Sequence, residues 1–185
     1  MYRETRSQMT VTLLHAEQVF VPQIESWELS NPVVVAPDAG GLKRTQRFAA
    51  ALSADLAIVC KERPRHDTTR TVQVLGDVRD RVCLLVDDMA STGRTLARAA
   101  EALRLAGARE THAVFTHAVM VAGALDRLIA APLERLATSD SVPVPEHPRL
   151  EVVRIAPLLA QTVHYLTEVS LPQPCVPGTM VGQCP

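Results

Sequence analysis

The chain has 185 residues, of which 47% are hydrophobic and 21% charged, and this composition predicts one compact domain with a substantial core. A net charge of −1 provides no positive field for nucleic acid or an anionic membrane, and aromatic residues, at 3%, are too few for a surface on which bases stack. No stretch approaches the roughly 20 apolar residues of a membrane-spanning helix, and the first residues, MYRETRSQMT, lack the apolar core of a signal peptide. We therefore expect a soluble, cytoplasmic protein with no nucleic-acid or membrane partner.

From residue 31 onward, apolar strand-like runs alternate with helical patterns, which predicts an α/β fold with a mostly parallel central sheet and helices on both faces. The clearest strands are short continuous apolar runs over residues 33–35, 56–59, 82–86 and 113–115. Helical spacing predicts helices over residues 41–52, 96–106, 122–131 and 157–165. The last fifteen residues carry four prolines and no periodicity, so we expect a single domain over residues 1–170 and a flexible tail over 171–185.

The strongest chemical signal is the segment VCLLVDDMASTGRTL, residues 82–96, which combines a buried strand, two acids, a short turn and the start of a helix. Such a turn points unpaired backbone amides at the crevice where parallel strands end. Gly93 allows close approach and positive φ, Thr92 and Thr95 add hydroxyl donors, and the helix that begins near Arg94 offers its positive dipole end. The segment predicts a site for a phosphate group.

Asp87 and Asp88 precede this turn, and adjacent residues of an extended strand are expected to point to opposite faces. That placement disfavours paired acid–base catalysis on one atom. The carboxylates instead suit hydrogen bonds from sugar hydroxyls or, through water, a Mg²⁺ ion. Phosphate at the turn and hydroxyls at the acids describe a 5-phosphoribose, whereas the alternative is that the acids only cap the turn.

The stretch DDMASTGRT resembles the diphosphate-sugar loop of type I phosphoribosyltransferases, in which Ser91 stands at a position that carries an acid in the family. Its flanks narrow the resemblance to the ribose-phosphate pyrophosphokinases, which make phosphoribosyl pyrophosphate from ATP and ribose 5-phosphate. The resemblance covers about residues 10–170 and corresponds to the carboxyl-terminal half of the family's chain. The further matching stretches are LHAEQ (14–18), VVVAPDAGGLKR (33–44), KERP (61–64), GDVRDRV (76–82), FTHAVMVAGAL (115–125) and TSDSVP (138–143).

The resemblance implies roles for four residues outside the turn. On residue type alone, a lone histidine that ends an apolar run is more often a core residue than a ligand, but the resemblance implies that His15 and Asp38 bind the magnesium that accompanies ATP. Both are expected at the ends of strands that reach one crevice. The polar segment 61–71 is long for a strand-to-helix connection, and the resemblance implies that Lys61 and Arg63 form the catalytic pair of a mobile loop.

The expected function is thus transfer of diphosphate from Mg-ATP to the C1 hydroxyl of ribose 5-phosphate, with Mg²⁺ as cofactor and ATP as co-substrate. Two alternatives remain open. One is a stand-alone phosphoribosyltransferase that uses phosphoribosyl pyrophosphate and a base, and the other is a non-catalytic regulatory homologue of the synthase. The resemblance also implies a homo-oligomer or an association with a complete synthase.

Overall fold

The computed structural model describes residues 11–61 and 72–170. Within those ranges strands and helices alternate along most of the chain, which confirms the predicted α/β class. In chain order the elements are α1 (Glu17–Glu25), β1 (Val33–Ala36), a 3-10 turn (Ala39–Gly41), α2 (Leu42–Ala51), β2 (Asp55–Lys61), β3 (Val72–Leu75), β4 (Val82–Met89), α3 (Arg94–Leu105), β5 (Glu110–His117), α4 (Ala124–Ala130), β6 (Leu136–Ser139), β7 (Leu150–Val153) and α5 (Ala156–Ser170).

The described strands form one sheet in the order β3-β2-β1-β4-β5-β6-β7. β3 runs antiparallel to β2, and every other neighbouring pair is parallel. From β1 the chain builds outward to β2 and β3 and then returns to the other side of β1 with β4. This reversal between β1 and β4 creates a crevice at the carboxyl ends of the two strands, where open α/β sheets bind their ligands.

Helices cover both faces of the sheet, as predicted. Leu85 of β4 packs in one buried cluster with Leu96 of α3. Its neighbour Leu84 packs in a second cluster with Phe20 of α1 and Phe48 of α2. Each fully buried side chain of this size contributes about 1.5–3 kcal/mol to the stability of the fold. Because both faces of such a strand are buried, its sequence is a continuous apolar run.

The strand expected to end at His15 is not formed. Residues 11–15 have no regular structure, and His15 lies directly before Ala16, the residue that precedes α1. The segment TVTLL alternates as a strand does, but a strand is stable only when it pairs, and no strand among residues 11–61 and 72–170 pairs with it. Val11 and Leu13 are accordingly exposed.

Four described elements, α1, β3, β6 and β7, were not among the strands and helices predicted from the sequence. The helix α1 contains Pro22, which interrupts a helical pattern. The edge strands β3 and β7 are four residues long, and both expose apolar side chains, such as Val72 and Val152. Short edge strands carry little of the hydrophobic periodicity by which strands are predicted.

The compact unit that contains the sheet ends at Ile155, and α5 belongs to a second unit. α5 itself is longer than the predicted 157–165 and exposes Leu159, Val163 and Tyr165. The predicted tail, 171–185, lies outside the described residues. In the part of the chain that the structure describes, no helix has both the length and the apolar character needed to cross a bilayer.

Candidate functional site

A cavity of about 390 Å³ opens at the carboxyl ends of β1 and β4. Two strand-to-helix turns form it: one leads from β1 to α2, and the other leads from β4 to α3. Six of the residues predicted from the sequence to bind the ribose phosphate line it, together with Asp38 and the unpredicted Arg44. The lining residues are Asp38, Gly40, Gly41, Arg44, Asp87, Asp88, Met89, Ala90, Ser91, Thr92, Gly93, Thr95 and Leu96.

The turn after β4 requires a glycine before α3. Gly93 has φ of +69°, the left-handed region that glycine tolerates best. A Cβ atom there would lie 2.9 Å from the carbonyl oxygen of Ala124, closer than real Cβ contacts, and 3.0 Å from Cγ of Leu128, tighter than most of them. The backbone of this turn therefore packs directly against α4, and the glycine is needed both for its conformation and for its small volume.

Hydrogen bonds fix the carbonyl groups of the same turn on the side of α4. The carbonyl oxygen of Ser91 accepts from the amide of Val121 at 3.0 Å, and that of Thr92 accepts from the guanidinium of Arg127. The first amides of α3 have no carbonyl partner within their own helix, and the amide of Arg94 donates to Oγ1 of Thr92 at 3.4 Å. The turn is thus held in place from behind and offers amide and hydroxyl donors at the start of a helix, an arrangement that suits an anion.

Asp87 and Asp88 line the same cavity, so the expectation that they point to opposite faces is wrong. One oxygen of Asp87 accepts a hydrogen bond from the amide of Asp88 at 2.9 Å, which turns this side chain back along the strand end. Both carboxylates then reach the guanidinium of Arg44, at 3.3 Å from Asp87 and 2.6 Å from Asp88. Strict alternation fails here because these residues lie at the end of β4, where local hydrogen bonds and a shared cation replace the packing of the sheet interior.

The two acids differ in exposure. The side chain of Asp87 is 15% exposed and that of Asp88 is 62% exposed. Burial raises the pKa of Asp87 to about 6, and the neighbouring Asp88 carboxylate adds to the rise while the guanidinium of Arg44 opposes it. Asp87 therefore gains and loses a proton close to neutral pH.

Sequence reasoning missed Arg44, which lies in the first turn of α2. The sequence does contain one signal for it. A cation in the first turn of a helix is destabilised by the helix dipole, so an acidic partner is expected nearby. The partners are 43 and 44 residues away in the sequence, so they are recognised only once β1 and β4 are known to be neighbours.

Asp38 caps the short turn after β1. Its Oδ1 accepts from the amide of Gly40 at 3.0 Å, and the tight turn expected from the two following glycines is present. His15 does not line the cavity that contains Asp38; its backbone amide donates to Oε1 of Gln18 at 3.2 Å. The structure therefore does not bring the two predicted magnesium ligands together in this cavity.

Within residues 11–61 and 72–170, no three His, Cys, Asp or Glu side chains are grouped closely enough to hold a metal ion. Mg²⁺ commonly uses one or two protein carboxylates and completes its shell with water and substrate phosphates. The carboxylates of Asp38, Asp87 and Asp88 fit that mode, in which the ion arrives with a phosphorylated ligand.

The other predicted residues lie at the border of the described region. Lys61 is the last residue of β2, so its backbone reaches the carboxyl edge of the sheet, and Arg63 lies outside the described residues. Arg94 is exposed and does not line the cavity. The polar stretch at the end of β6 has a structural role, since buried Ser139 donates to the carbonyl of Thr116 at 2.6 Å.

Comparison with known proteins identifies relatives of this chain. Residues 17–130 match the family model described as the phosphoribosyl transferase domain. The chain is 35% identical over 158 residues to a ribose-phosphate pyrophosphokinase of Neisseria meningitidis serogroup A, a match that covers 83% of this chain and 48% of that protein. It is 38% identical over 159 residues to a protein of the same name from Nostoc, with 84% and 48% covered. The chain thus spans about half the length of the curated relatives it matches.

Solved structures agree with this result. The crystal structure of phosphoribosylpyrophosphate synthetase from Mycobacterium smegmatis superposes with a TM-score of 0.75 at 31% identity, covering 84% of this chain and 51% of that chain. An APRTase from Giardia lamblia, at 17% identity and a TM-score of 0.51, shares the fold and covers 75% of this chain and 76% of its own. These matches confirm the resemblance predicted from the motifs. This chain belongs to the phosphoribosyl transferase domain family.

Proposed function

We propose that the chain binds ribose 5-phosphate and acts as a ribose-phosphate pyrophosphokinase-like protein, transferring diphosphate from Mg-ATP to the C1 hydroxyl. The observation that carries the proposal is the cavity in which two carboxylates and a turn with amide and hydroxyl donors face the same space. The named activity of the relatives that match this chain supports the same reaction.

In this proposal the 5-phosphate lies at the turn after β4. The hydroxyls of Ser91, Thr92 and Thr95 and the amides from Gly93 into α3 donate to its oxygens, and each such bond contributes about 1.5–3 kcal/mol. The carbonyl groups of the turn are already bonded on the α4 side. Little reorganisation of this turn is therefore needed when the phosphate binds.

Asp87 and Asp88 accept hydrogen bonds from the hydroxyls of the sugar. The C1 hydroxyl oxygen then attacks the β-phosphorus of ATP, the bond from that phosphorus to the oxygen of the AMP moiety breaks, and the hydroxyl proton passes to solvent. Lys61 and Arg63 supply positive charge to the transferring diphosphate, because phosphoryl transfer depends mainly on positioning and charge.

His15 and Asp38 are the residues to which the family resemblance assigns the magnesium. Bound with ATP, the ion supplies positive charge at the diphosphate. Of the two, Asp38 lines the cavity described here. We further propose a cytoplasmic protein that assembles as a homo-oligomer or with a complete synthase.

Two observations favour alternative functions. The matching family model is that of the phosphoribosyl transferase domain, which favours a transferase that joins phosphoribosyl pyrophosphate to a base. The chain spans about half the length of its curated relatives, which favours a regulatory homologue that binds the sugar phosphate without turnover. In the first case release of pyrophosphate depends on a base, and in the second the sugar phosphate binds with no product.

An end-point assay for AMP formed from ATP, Mg²⁺ and ribose 5-phosphate tests the proposal. We expect AMP with the native chain and at least about a hundredfold less with Lys61→Ala, since removal of one charge that stabilises the transition state costs about that factor. Lys43→Ala, an exposed charge on α2, is the matched control and should retain activity. If ribose 5-phosphate binds in calorimetry but the chain alone forms no AMP, and adds none to the amount that a complete synthase forms by itself, diphosphate transfer is refuted and the regulatory alternative is selected.

A further inference from the structure

Arg44 lines the cavity and ends the matching stretch VVVAPDAGGLKR, but neither the motifs nor the relatives' names assign it a role. Its guanidinium spans both acids, with one nitrogen 3.3 Å from Asp87 and the other 2.6 Å from Asp88. The side chains of Arg44 and Asp87 are 18% and 15% exposed, so this contact is shielded from water more than a surface ion pair. Shielding strengthens the attraction and makes an unpaired charge at this place costly.

The charges that line the cavity are unequal. Among the described residues, three carboxylates, those of Asp38, Asp87 and Asp88, line it with one cation, Arg44. A phosphorylated sugar adds negative charge to a space whose described lining already carries more negative than positive charge. The hydroxyls of such a sugar also need carboxylate oxygens that Arg44 occupies in the free protein.

The side chain of Arg44 is suited to exchange carboxylate oxygens for phosphate oxygens. A guanidinium presents its donors as a planar fork that fits carboxylate and phosphate oxygens equally well. The backbone beneath it is fixed, because Thr45 is buried and donates to the carbonyl of Gly41 at 3.0 Å, and Phe48 packs in the core. Gly41 lies beside the guanidinium of Arg44 and has no side chain there. A Cβ atom on Gly41 would lie 3.4 Å from Nη1 of Arg44. The head of the side chain can therefore move while the helix stays in place.

We propose that Arg44 is a positioning residue that couples recognition of the sugar hydroxyls to the presence of an anionic group on the same ligand. In the free protein it neutralises Asp87 and Asp88 and holds their carboxylates towards the cavity. When a phosphorylated sugar binds, the guanidinium transfers to phosphate or diphosphate oxygens and releases carboxylate oxygens to the hydroxyls. This inference rests on the proposed function and names the ligand class as sugars that carry both neighbouring hydroxyls and a phosphate.

Arg44→Gln tests the exchange, with Arg47→Gln as the matched control. Arg47 lies on the same helix and pairs with Glu17 at 3.0 Å, outside the cavity lining, so its loss changes the net charge equally. Two affinities are measured by calorimetry on the full chain: that of ribose 5-phosphate, and that of Mn²⁺ alone as a probe of the released carboxylates.

For Arg44→Gln we expect ribose 5-phosphate to bind at least about tenfold more weakly, as loss of one charge-assisted hydrogen bond predicts, and Mn²⁺ to bind about fivefold or more tightly. Arg47→Gln should change each affinity less than about twofold. If ribose 5-phosphate does not bind more weakly to Arg44→Gln, the guanidinium is not transferred to the ligand, and if Mn²⁺ does not bind more tightly, Arg44 does not occupy the carboxylates; either result would overturn the proposal. If the native chain does not bind ribose 5-phosphate, the proposed function fails, and the response of Mn²⁺ still decides whether Arg44 and cations compete for the acids.

Discussion

Buried ionisable groups have different surroundings at the two ends of the sheet. At the carboxyl end, Asp87 faces a cavity and shares Arg44 with a second acid. Near the amino end, His112 of β5 is 3% exposed and packs against Trp27, with ring centroids 5.6 Å apart. The first group can exchange its partner for a ligand, whereas the second is enclosed by the fold and its protonation affects stability.

His112 makes the contrast sharp, because neither of its ring nitrogens has a hydrogen-bond partner within the described residues. The nearest acid, Glu110, lies 3.6 Å from Nε2, which is too far for a good hydrogen bond. Burial lowers the pKa of His112, and the positive charge of Arg135 lowers it further while Glu110 and Glu134 oppose the change. The chain thus keeps a neutral imidazole at one end and ionisable acids at the other.

The largest effect is expected from a change in the turn after β4, at the carboxyl end of the sheet. Gly93→Ala places a Cβ 2.9 Å from a backbone oxygen at a φ of +69°, and we expect a loss of about 2–5 kcal/mol in the free energy of unfolding, measured with urea. Ribose 5-phosphate binding should be lost with it, because the turn must shift.

Gly123→Ala is the control for that prediction. Gly123 has φ of +75°, but a Cβ there would meet no atom of the described residues within 4 Å. The variant should therefore lose only the conformational cost of about 1–2 kcal/mol. Equal losses for the two variants would show that the close approach of the turn to α4 has no energetic weight.

The features that local patterns specify were predictable from the sequence. β4, its turn and α3 form a contiguous unit over residues 82–105 in which the apolar run, acids, glycine and helical spacing follow one another directly, and Gly93 stands where it was expected. Contacts that depend on strand order were not. Arg44 meets its acids only because β1 and β4 are neighbours, and His15 follows a strand-like segment that lacks a partner strand among the described residues.

The second prediction concerns the pH dependence of Asp87. Its pKa in the folded protein, about 6, lies above the ordinary value of 3.8, so between these values the folded state binds more protons than the unfolded state and stability falls as pH rises. Asp87→Asn removes that dependence. We expect the variant to gain stability over the native chain from pH 4 to pH 7, by at most about 3 kcal/mol, in urea unfolding at a series of pH values.

Asp88→Asn is the matched control, because Asp88 is largely exposed. Its gain with rising pH should be smaller, because burial is the main cause of the raised pKa of Asp87 and the charge of Asp88 only adds to it. Both variants should weaken ribose 5-phosphate binding if the acids receive the sugar hydroxyls. A parallel stability profile for the two variants would mean that burial does not distinguish the acids.

The third prediction concerns His112 at the amino end, where stability is expected to change with pH in the opposite direction. The lowered pKa of His112 means that below its ordinary value of 6.5 the unfolded chain binds more protons than the folded one, so stability falls as pH falls. His112→Phe keeps an aromatic ring beside Trp27 and removes the titration. As the pH is lowered from 7 to 5, the free energy of unfolding of the variant should therefore rise relative to that of the native chain.

His117→Phe, at the exposed other end of the same strand, provides the comparison for His112. It should leave the native loss of stability at low pH in place. If both variants followed the native profile below pH 6.5, protonation of His112 would not be the cause of that loss.

The smallest expected effect concerns a polar contact at the amino end in which one carboxylate oxygen accepts two hydrogen bonds. Glu151 of β7 accepts from the side-chain amide of Gln23 at 2.6 Å and from Nε1 of Trp27 at 3.1 Å, and these bonds join the edge of the sheet to α1 and the residues after it. Glu151→Gln keeps the shape and one acceptor oxygen but removes the charge, and we expect a loss of about 1 kcal/mol in urea unfolding with ribose 5-phosphate affinity unchanged. Arg44→Gln, by contrast, is expected to alter the affinities at the other end of the sheet. If Glu151→Gln weakened sugar binding as well, the two ends would be coupled through the sheet, and the division between a fixed amino end and an exchangeable carboxyl end would be wrong.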